Sequence, residues 1–523
     1  MKELVYPRML LPALERFASK QAFHNSGYAA TYAEHGERVL RLAHAMRHEL
    51  GLGPGDRYAV MAANGHEFLE LYHAGFLGAG VINPLNLRLA GRDLQFILAD
   101  SETEVVFVDS VFAEHLERSI AAVRDELQVR HVVLMGGGDE GLPHDLSYEQ
   151  LLAAAEPEVP REPEEDQPVV LMYTGGTTGL PKGVLLDQRA EMLNLYHIAG
   201  SLGLHERRVF VHQTPMFHAA SMGAVLGIPA TGGTSVFVPL FEPEQVMDAI
   251  ERFSADWTVM VPTMIAMVLD HPGFRPERLA TLSDLVYGAS PMPQALLARL
   301  AGTLPETRLW QGYGMTECSS VLTFLSPDDH RAGGARLRSA GRPVMGVTVC
   351  VQDGRGRLLS VGAEGEICAR GGNFMRGYWH RPQETEEAFR DGWYHSGDAG
   401  HVDAEGYVYL TDRINDMIVS GGENVYSIEV ENAVASHPAV AEVAVIGIPH
   451  PTWGEQVHAI VVLHPGATAS AEEIREHARS TLARYKVPKS VEFRSEPLPL
   501  SGALKPLKRE LRRPYWEKVA TPA

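Results

Sequence analysis

Cysteine is scarce in this chain: 523 residues contain three, Cys318, Cys350 and Cys368. Their odd number and low density exclude a disulfide framework and fit a reducing compartment, and their spacing is not that of a zinc site. Positive charge is also in deficit. Lys and Arg number 46 against 66 Asp and Glu, giving a formal charge of -20, which argues against nucleic acid and anionic membrane as partners and is read as solubility. No uninterrupted membrane-length apolar run is present. The stretch 219–241 is uncharged, but Pro229 and Gly232-Gly233 break it, so it reads as helix, turn and strand. The opening Met-Lys-Glu-Leu-Val-Tyr-Pro-Arg lacks the apolar core of a signal peptide, and the closing Thr-Pro-Ala carries no prenylation or peroxisomal address. The expectation is a cytoplasmic protein with no integral membrane segment, monomeric or homodimeric.

The length predicts two to four domains at about 100–200 residues each. Patterning alternates helix and strand through the first 340 residues. Tyr32 to Glu49 and Glu244 to Phe253 have helical spacing, while Val105–Val108, Val132–Met135 and Val169–Met172 are continuous apolar runs, as in strands buried on both faces. This is an α/β pattern. From about Ser339 the texture becomes that of twisted antiparallel strands, and from Ser427 a compact α+β pattern follows, with Ser470 placed to cap a helix.

The densest chemistry lies in Tyr173-Thr-Gly-Gly-Thr-Thr-Gly-Leu-Pro-Lys-Gly-Val184, directly after an apolar strand. Glycines let backbone N–H groups approach an anion, and Thr hydroxyls and Lys182 add donors and charge. It is not the P-loop of kinases, because Lys182 lies between Pro181 and Gly183. The bland alternative is a Gly-rich turn. A second cluster, Gln311-Gly-Tyr-Gly-Met-Thr-Glu317, offers a flat ring, a hydroxyl and one carboxylate suited to Mg²⁺ beside phosphate, or else a turn after the strand Arg308–Trp310. In a third, Tyr394-His-Ser-Gly-Asp398, the carboxylate is either a ribose acceptor or an exposed turn Asp. A fourth comprises Asp412-Arg413-Ile414-Asn415-Asp416 and Ser420-Gly421-Gly422-Glu423-Asn424. The last is the basic tail around Lys505, in which Lys508, Arg509, Arg512 and Arg513 read as a solvated segment.

In this order and over nearly the whole chain, these clusters resemble the acyl-adenylate-forming superfamily of acyl-CoA synthetases, adenylation domains and beetle luciferases. The resemblance implies a large N-terminal domain of stacked α/β sheets with a β-barrel-like part (1–411), a hinge (412–416) and a small mobile α+β domain (417–523). It also implies two steps: a carboxylate attacks Mg·ATP to give acyl-AMP and pyrophosphate, then the thiol of coenzyme A takes the acyl group. By motif match, Thr174, Gly175, Gly176, Thr177, Thr178 and Lys182 cover the β- and γ-phosphates. Gly288, Ala289, Ser290, Gln311 and Gly312 border the adenine, on which Tyr313 stacks, while Thr316 meets the α-phosphate and Glu317 holds Mg²⁺. Asp398 and Arg413 hold the ribose, Asn415 stands at the hinge where Asp or Lys is more usual, and Ser420, Gly421, Gly422 and Glu423 line the pantetheine tunnel. Lys505 matches the lysine bridging substrate carboxylate and α-phosphate, with Lys508 as the competing candidate, since Leu504 and Pro506 depart from the usual flanking residues.

The acid is read from Pro215-Met-Phe-His218. Amino-acid-activating relatives carry Asp where this chain has His218, and an ammonium buried without a carboxylate is costly, so the expected acid has no α-amino group. His218, Met222, Gly223, Val261 and Thr263 are expected to line its pocket. A medium-to-long fatty acid is the leading expectation and an aryl or arylpropenoic acid the next. An acyl-AMP ligase or nucleotide-binding protein without CoA transfer is the remaining alternative.

Overall fold

The computed structural model describes residues 4–89, 91–137, 141–174, 181–413, 416–420, 423–501 and 506–520. Among the described residues the strands form four sheets. An eight-stranded sheet runs, in spatial order, from Gly377–Tyr378 through Lys182–Asp187, Pro168–Thr174, Val81–Pro84, Arg57–Met61, Val105–Asp109 and His131–Met135 to Leu146–Ser147. Its Val105–Asp109 strand, expected from an unbroken apolar run, is buried from Val105 to Val108. Helix Tyr32–His48 starts as its sequence implies, with a capping box between Thr31 and Glu34, and packs Val39, Leu42 and Met46 into the largest core.

A nine-stranded sheet carries the parallel series Thr234–Phe237, Val209–His212, Trp257–Met260, Asp284–Gly288 and Arg308–Tyr313. The Arg308 strand continues to Tyr313, so Gln311-Gly312-Tyr313 is strand rather than the turn that its glycines suggest. Asp284 locks this register. Fully buried, it accepts from Arg208 Nη1 at 2.8 Å, Arg308 Nε at 2.9 Å and Trp310 Nε1 at 3.0 Å.

The third sheet is antiparallel and contains Thr348–Gln352, Gly365–Arg370, Trp393–Val402 and Val408–Arg413. Chain and sheet change together after Arg413, because Ile418–Ser420 already belongs to the fourth sheet with Val440–His450 and Gly454–Leu463. That last sheet packs helices Ser427–Ala435 and Ala471–Arg479 around its own core, and Ser470 caps the second of them with Glu473. The basic tail is not wholly solvated. Lys508 Nζ lies 2.7 Å from Glu431 and 2.6 Å from Ser427 Oγ, and Arg512 pairs with Asp416 at 3.1 Å. Among the described residues no helix is long and apolar enough to cross a membrane, and 219–241 resolves into helix Met222–Thr231 and strand Thr234–Phe237.

Candidate active site

The parallel strands of the nine-stranded sheet end together, and ligands of such sheets bind beyond the carboxyl ends of the strands. Beyond those of Trp257–Met260, Asp284–Gly288 and Arg308–Tyr313 opens a cleft of about 3920 Å³, walled on the far side by Glu429, Glu431, Asn432, Lys508 and Arg512. Ordinary ligand pockets measure about 300–1,000 Å³, so this cleft has room for several joined subsites.

The hairpin Pro168–Thr174/Lys182–Asp187 presents the Gly-rich loop, with Thr174 opposite Lys182 where the strands separate. Gly175, Gly176, Thr177 and Thr178 lie outside the described residues. Lys182 Nζ sits 2.5 Å from Glu384 and 5.1 Å from the centre of the Tyr378 ring. A phosphate bound by Lys182 would compete with a carboxylate for this ammonium. Glu384→Gln is expected to lower the KM for ATP about two- to fivefold, the worth of a half-exposed pair, with kcat unchanged in a pyrophosphate-release assay. A raised KM would mean that Glu384 helps to place Lys182.

Gly288 stands opposite Gly312 across two parallel strands, so close that a Cβ on Gly288 would lie 2.1 Å from the Gly312 carbonyl oxygen. Neighbouring Ala289 has φ +65°, a conformation rare for a residue with a side chain and held here at the mouth of the cleft beside Ser290. The Tyr313 hydroxyl donates to Asp398 Oδ2 at 2.7 Å, joining the second and third motifs. Asp398 is buried at 6% exposure, inside the ten-residue strand Trp393–Val402 rather than on an exposed turn, and strand register puts Arg413 directly opposite it.

Thr316 and Glu317 form a tight turn on the cleft wall, and Glu317 Oε1 accepts from the Tyr378 hydroxyl at 2.9 Å. Mg²⁺ takes one or two carboxylates together with phosphate oxygens, and the single carboxylate of Glu317 on the cleft wall fits that ion. Tyr378 and Glu384 belong to no motif singled out in the sequence. What recruits them is the pairing of Gly377–Tyr378 with Val184–Leu185, nearly 200 residues earlier.

His218 caps a short turn by accepting from the Ala220 N–H at 3.2 Å, and it lines the cleft together with Gly223, Val261 and Thr263. Met222 departs from expectation: it is fully buried in the main core and does not line the cleft, because its neighbour Gly223 takes the face that does. Ser420 ends its strand opposite Gly454 and is not on the cleft wall in this arrangement of the domains. Asn415, Gly421, Gly422 and Lys505 lie outside the described residues, as do the side chains of Arg413 and Glu423. Ser501 and Pro506, on either side of the 502–505 segment, line the cleft.

An α/β domain whose strand ends border a Gly-rich hairpin, joined to a small α+β domain, is the architecture of an ATP-using ligase. The chain belongs to the AMP-binding enzyme family, whose main domain matches residues 12–379 and whose C-terminal domain matches residues 429–505. It is an acid–thiol ligase, an AMP-forming acyl-CoA synthetase of the acyl-adenylate-forming superfamily. Feruloyl-CoA synthase of an Amycolatopsis species is 38% identical over 497 residues, 94% of this chain and 96% of that protein. The medium/long-chain-fatty-acid–CoA ligase FadD8 of Mycobacterium tuberculosis is 33% identical, covering 97% of this chain and 90% of its own length. ATP-bound MatB from Rhodopseudomonas palustris superposes with a TM-score of 0.88 at 29% identity, covering 98% of this chain and 99% of MatB.

Proposed function

We propose that this ligase activates an arylpropenoic acid, through its adenylate, to the coenzyme A thioester. The observation that carries this reading is the apolar and aromatic part of the cleft lining. Trp257, Val259, Val286 and Gly312 line one side of it, and Ile198 and Ala224, from helices Gln188–Leu202 and Met222–Thr231, line the other. Trp257 stands at the amino end of its strand, 2% exposed and edge-on to Phe210 at 4.6 Å, as a floor. Such a wall, with an indole in it, suits the flat ring of a substituted cinnamic acid. The feruloyl-CoA synthase likeness supports the same class. The FadD8 likeness favours the second reading, a fatty acid, in a form short enough to stop at Trp257.

In this reading the residues divide the work. Lys182, freed from Glu384, neutralises the phosphates that leave. Tyr313 and Asp398 orient the nucleoside, Thr316 meets the α-phosphate and Glu317 holds Mg²⁺, which offsets charge on the triphosphate. Lys505 holds the attacking carboxylate against the α-phosphate, two anions that repel without it. The small domain then offers Ser420 to Glu423 to the pantetheine arm.

A panel of acids tests the assignment, read as pyrophosphate release and thioester formation. A hydroxycinnamic acid is expected to exceed hexadecanoic acid in kcat/KM by at least about a hundredfold, the scale of steric exclusion in a closed apolar pocket. Trp257→Ala should narrow that gap by admitting longer chains. Hexadecanoate as the better substrate of the unaltered enzyme would overturn the reading, and pyrophosphate release without thioester would point to an acceptor other than coenzyme A.

A further inference from the structure

We propose that Glu366, Cys368 and His395, with Cys350 beside them, form a binding site for a zinc-like divalent cation on the third sheet, separate from the Mg²⁺ subsite at Glu317. Strand register assembles it. Cys350 is the cross-strand partner of Cys368, and Cys368 is the partner of His395, so three neighbouring strands place these side chains in one row on one face. Glu366, two residues before Cys368, reaches the same spot.

Cys368 Sγ lies 3.4 Å from His395 Nδ1, and His395 Nδ1 lies 2.8 Å from Glu366 Oε2. The donor atoms of all three residues fall within 4.8 Å of one another. A tetrahedral zinc ion with bonds of about 2.3 Å to sulfur and 2.0–2.1 Å to nitrogen sets those two ligands about 3.6 Å apart, close to the spacing already present. Cys350, directly across the strand from Cys368, brings a second sulfur to the same row. Sulfur and imidazole together select zinc-like ions over Mg²⁺ or Ca²⁺. Cys368 is fully buried and the His395 side chain is 6% exposed, so the row is an interior feature that the sheet holds in place.

A cation already stands there. Arg390 Nη2 lies 2.8 Å from His395 Nδ1 and 3.4 Å from Glu366 Oε2, on a side chain 54% exposed. Binding is therefore an exchange: the metal enters, the guanidinium swings into solvent, and each ligating thiol gives its proton to water. Affinity should rise about tenfold per pH unit for each thiol that ionises on binding. The site reaches the nucleotide subsite through Glu366, whose Oε1 accepts from the Gly397 N–H at 3.1 Å, immediately before Asp398. Occupancy would stiffen that turn.

The test is a cobalt titration of the full-length, chelator-treated and reduced enzyme without ATP. The expected result is a near-ultraviolet thiolate-to-cobalt charge-transfer band that saturates at one equivalent and is displaced by zinc. Cys368→Ser should abolish the band and Cys350→Ser should weaken it. Arg390→Gln should tighten cobalt binding about tenfold, the loss of about 1.4 kcal/mol of competition. Circular dichroism establishes that each variant is folded. No band with cobalt in excess, a band unchanged in both serine variants, or an Arg390→Gln affinity equal to or weaker than wild type would each overturn the site. Isolation of Cys350 and Cys368 as a reduction-resistant disulfide would do the same.

Discussion

Replacing Lys505 with Ala is expected to slow acyl-AMP formation about a thousandfold, the scale of losing one preorganised charge at a reacting centre. Thioester formation from supplied acyl-AMP should survive, because the carboxylate and α-phosphate have by then already been joined. Lys508, three residues on, should behave oppositely. Its ammonium is committed to Glu431 at 2.7 Å and Ser427 Oγ at 2.6 Å, and the charges of Glu431 and Asp412 raise its pKa although burial opposes them. Lys508→Ala leaves the buried Glu431 carboxylate without its counter-charge, holding only the Val445 N–H, and should cost about 1–3 kcal/mol of stability in the small domain, read as a lower unfolding midpoint, with adenylation per folded molecule retained. Adenylation lost in folded Lys508→Ala and kept in Lys505→Ala would reverse the two roles.

That contrast shows where sequence reading reaches and where it stops. Helix Tyr32–His48 and strands such as Val105–Asp109 are legible because periodicity and apolar runs are local properties. Gln311-Gly312-Tyr313 and Gly397-Asp398 read as turns because glycine usually marks one, yet both are strand. In the first, Gly312 lies so near Gly288 that a side chain on Gly288 would strike its carbonyl. In the second, Gly397 at φ +71° turns a bulge inside a long strand, which buries Asp398. The partners of the site come from far away in sequence. Glu431 for Lys508, Tyr378 for Glu317 and Glu384 for Lys182 are supplied by pairing and packing that no local pattern encodes. The cysteines show the same thing: Cys350, Cys368 and His395 come from three strands and meet only through sheet register. The chemistry of the motifs was legible as residue types in order, whereas Met222 looked like pocket wall because a helix face cannot be assigned before its neighbours are known.

The largest stability effect is expected at Asp284, a residue that touches no substrate. Asp284→Ala removes the carboxylate that Arg208, Arg308 and Trp310 share, leaving Arg208, only 4% exposed in its side chain, with half of its carboxylate pairing, to Asp256, and its neutral partners Ser283 and Leu202. Breaking such a buried pair costs about 3–5 kcal/mol, seen as a lower urea midpoint of the large domain. The sign of the pH dependence follows from the carboxyl's pKa. Burial raises it, but the hydrogen bonds from Arg308, Trp310 and Arg208 outweigh burial and hold it below the ordinary range. A group depressed in the folded state contributes fully above its unfolded value, about 3.9, and loses that contribution as pH falls through the lower folded value. The gap between wild type and Asp284→Ala should therefore be full at pH 6 and shrink below pH 4, and a gap that widens on acidification would refute the assignment. Because Asp284 opens the strand that ends at Gly288, and Arg308 and Trp310 belong to the strand that ends at Tyr313, the same substitution loosens the register in which Gly288 faces Gly312. Nucleotide affinity should fall with stability, although the altered side chain lies four residues of strand below the cleft.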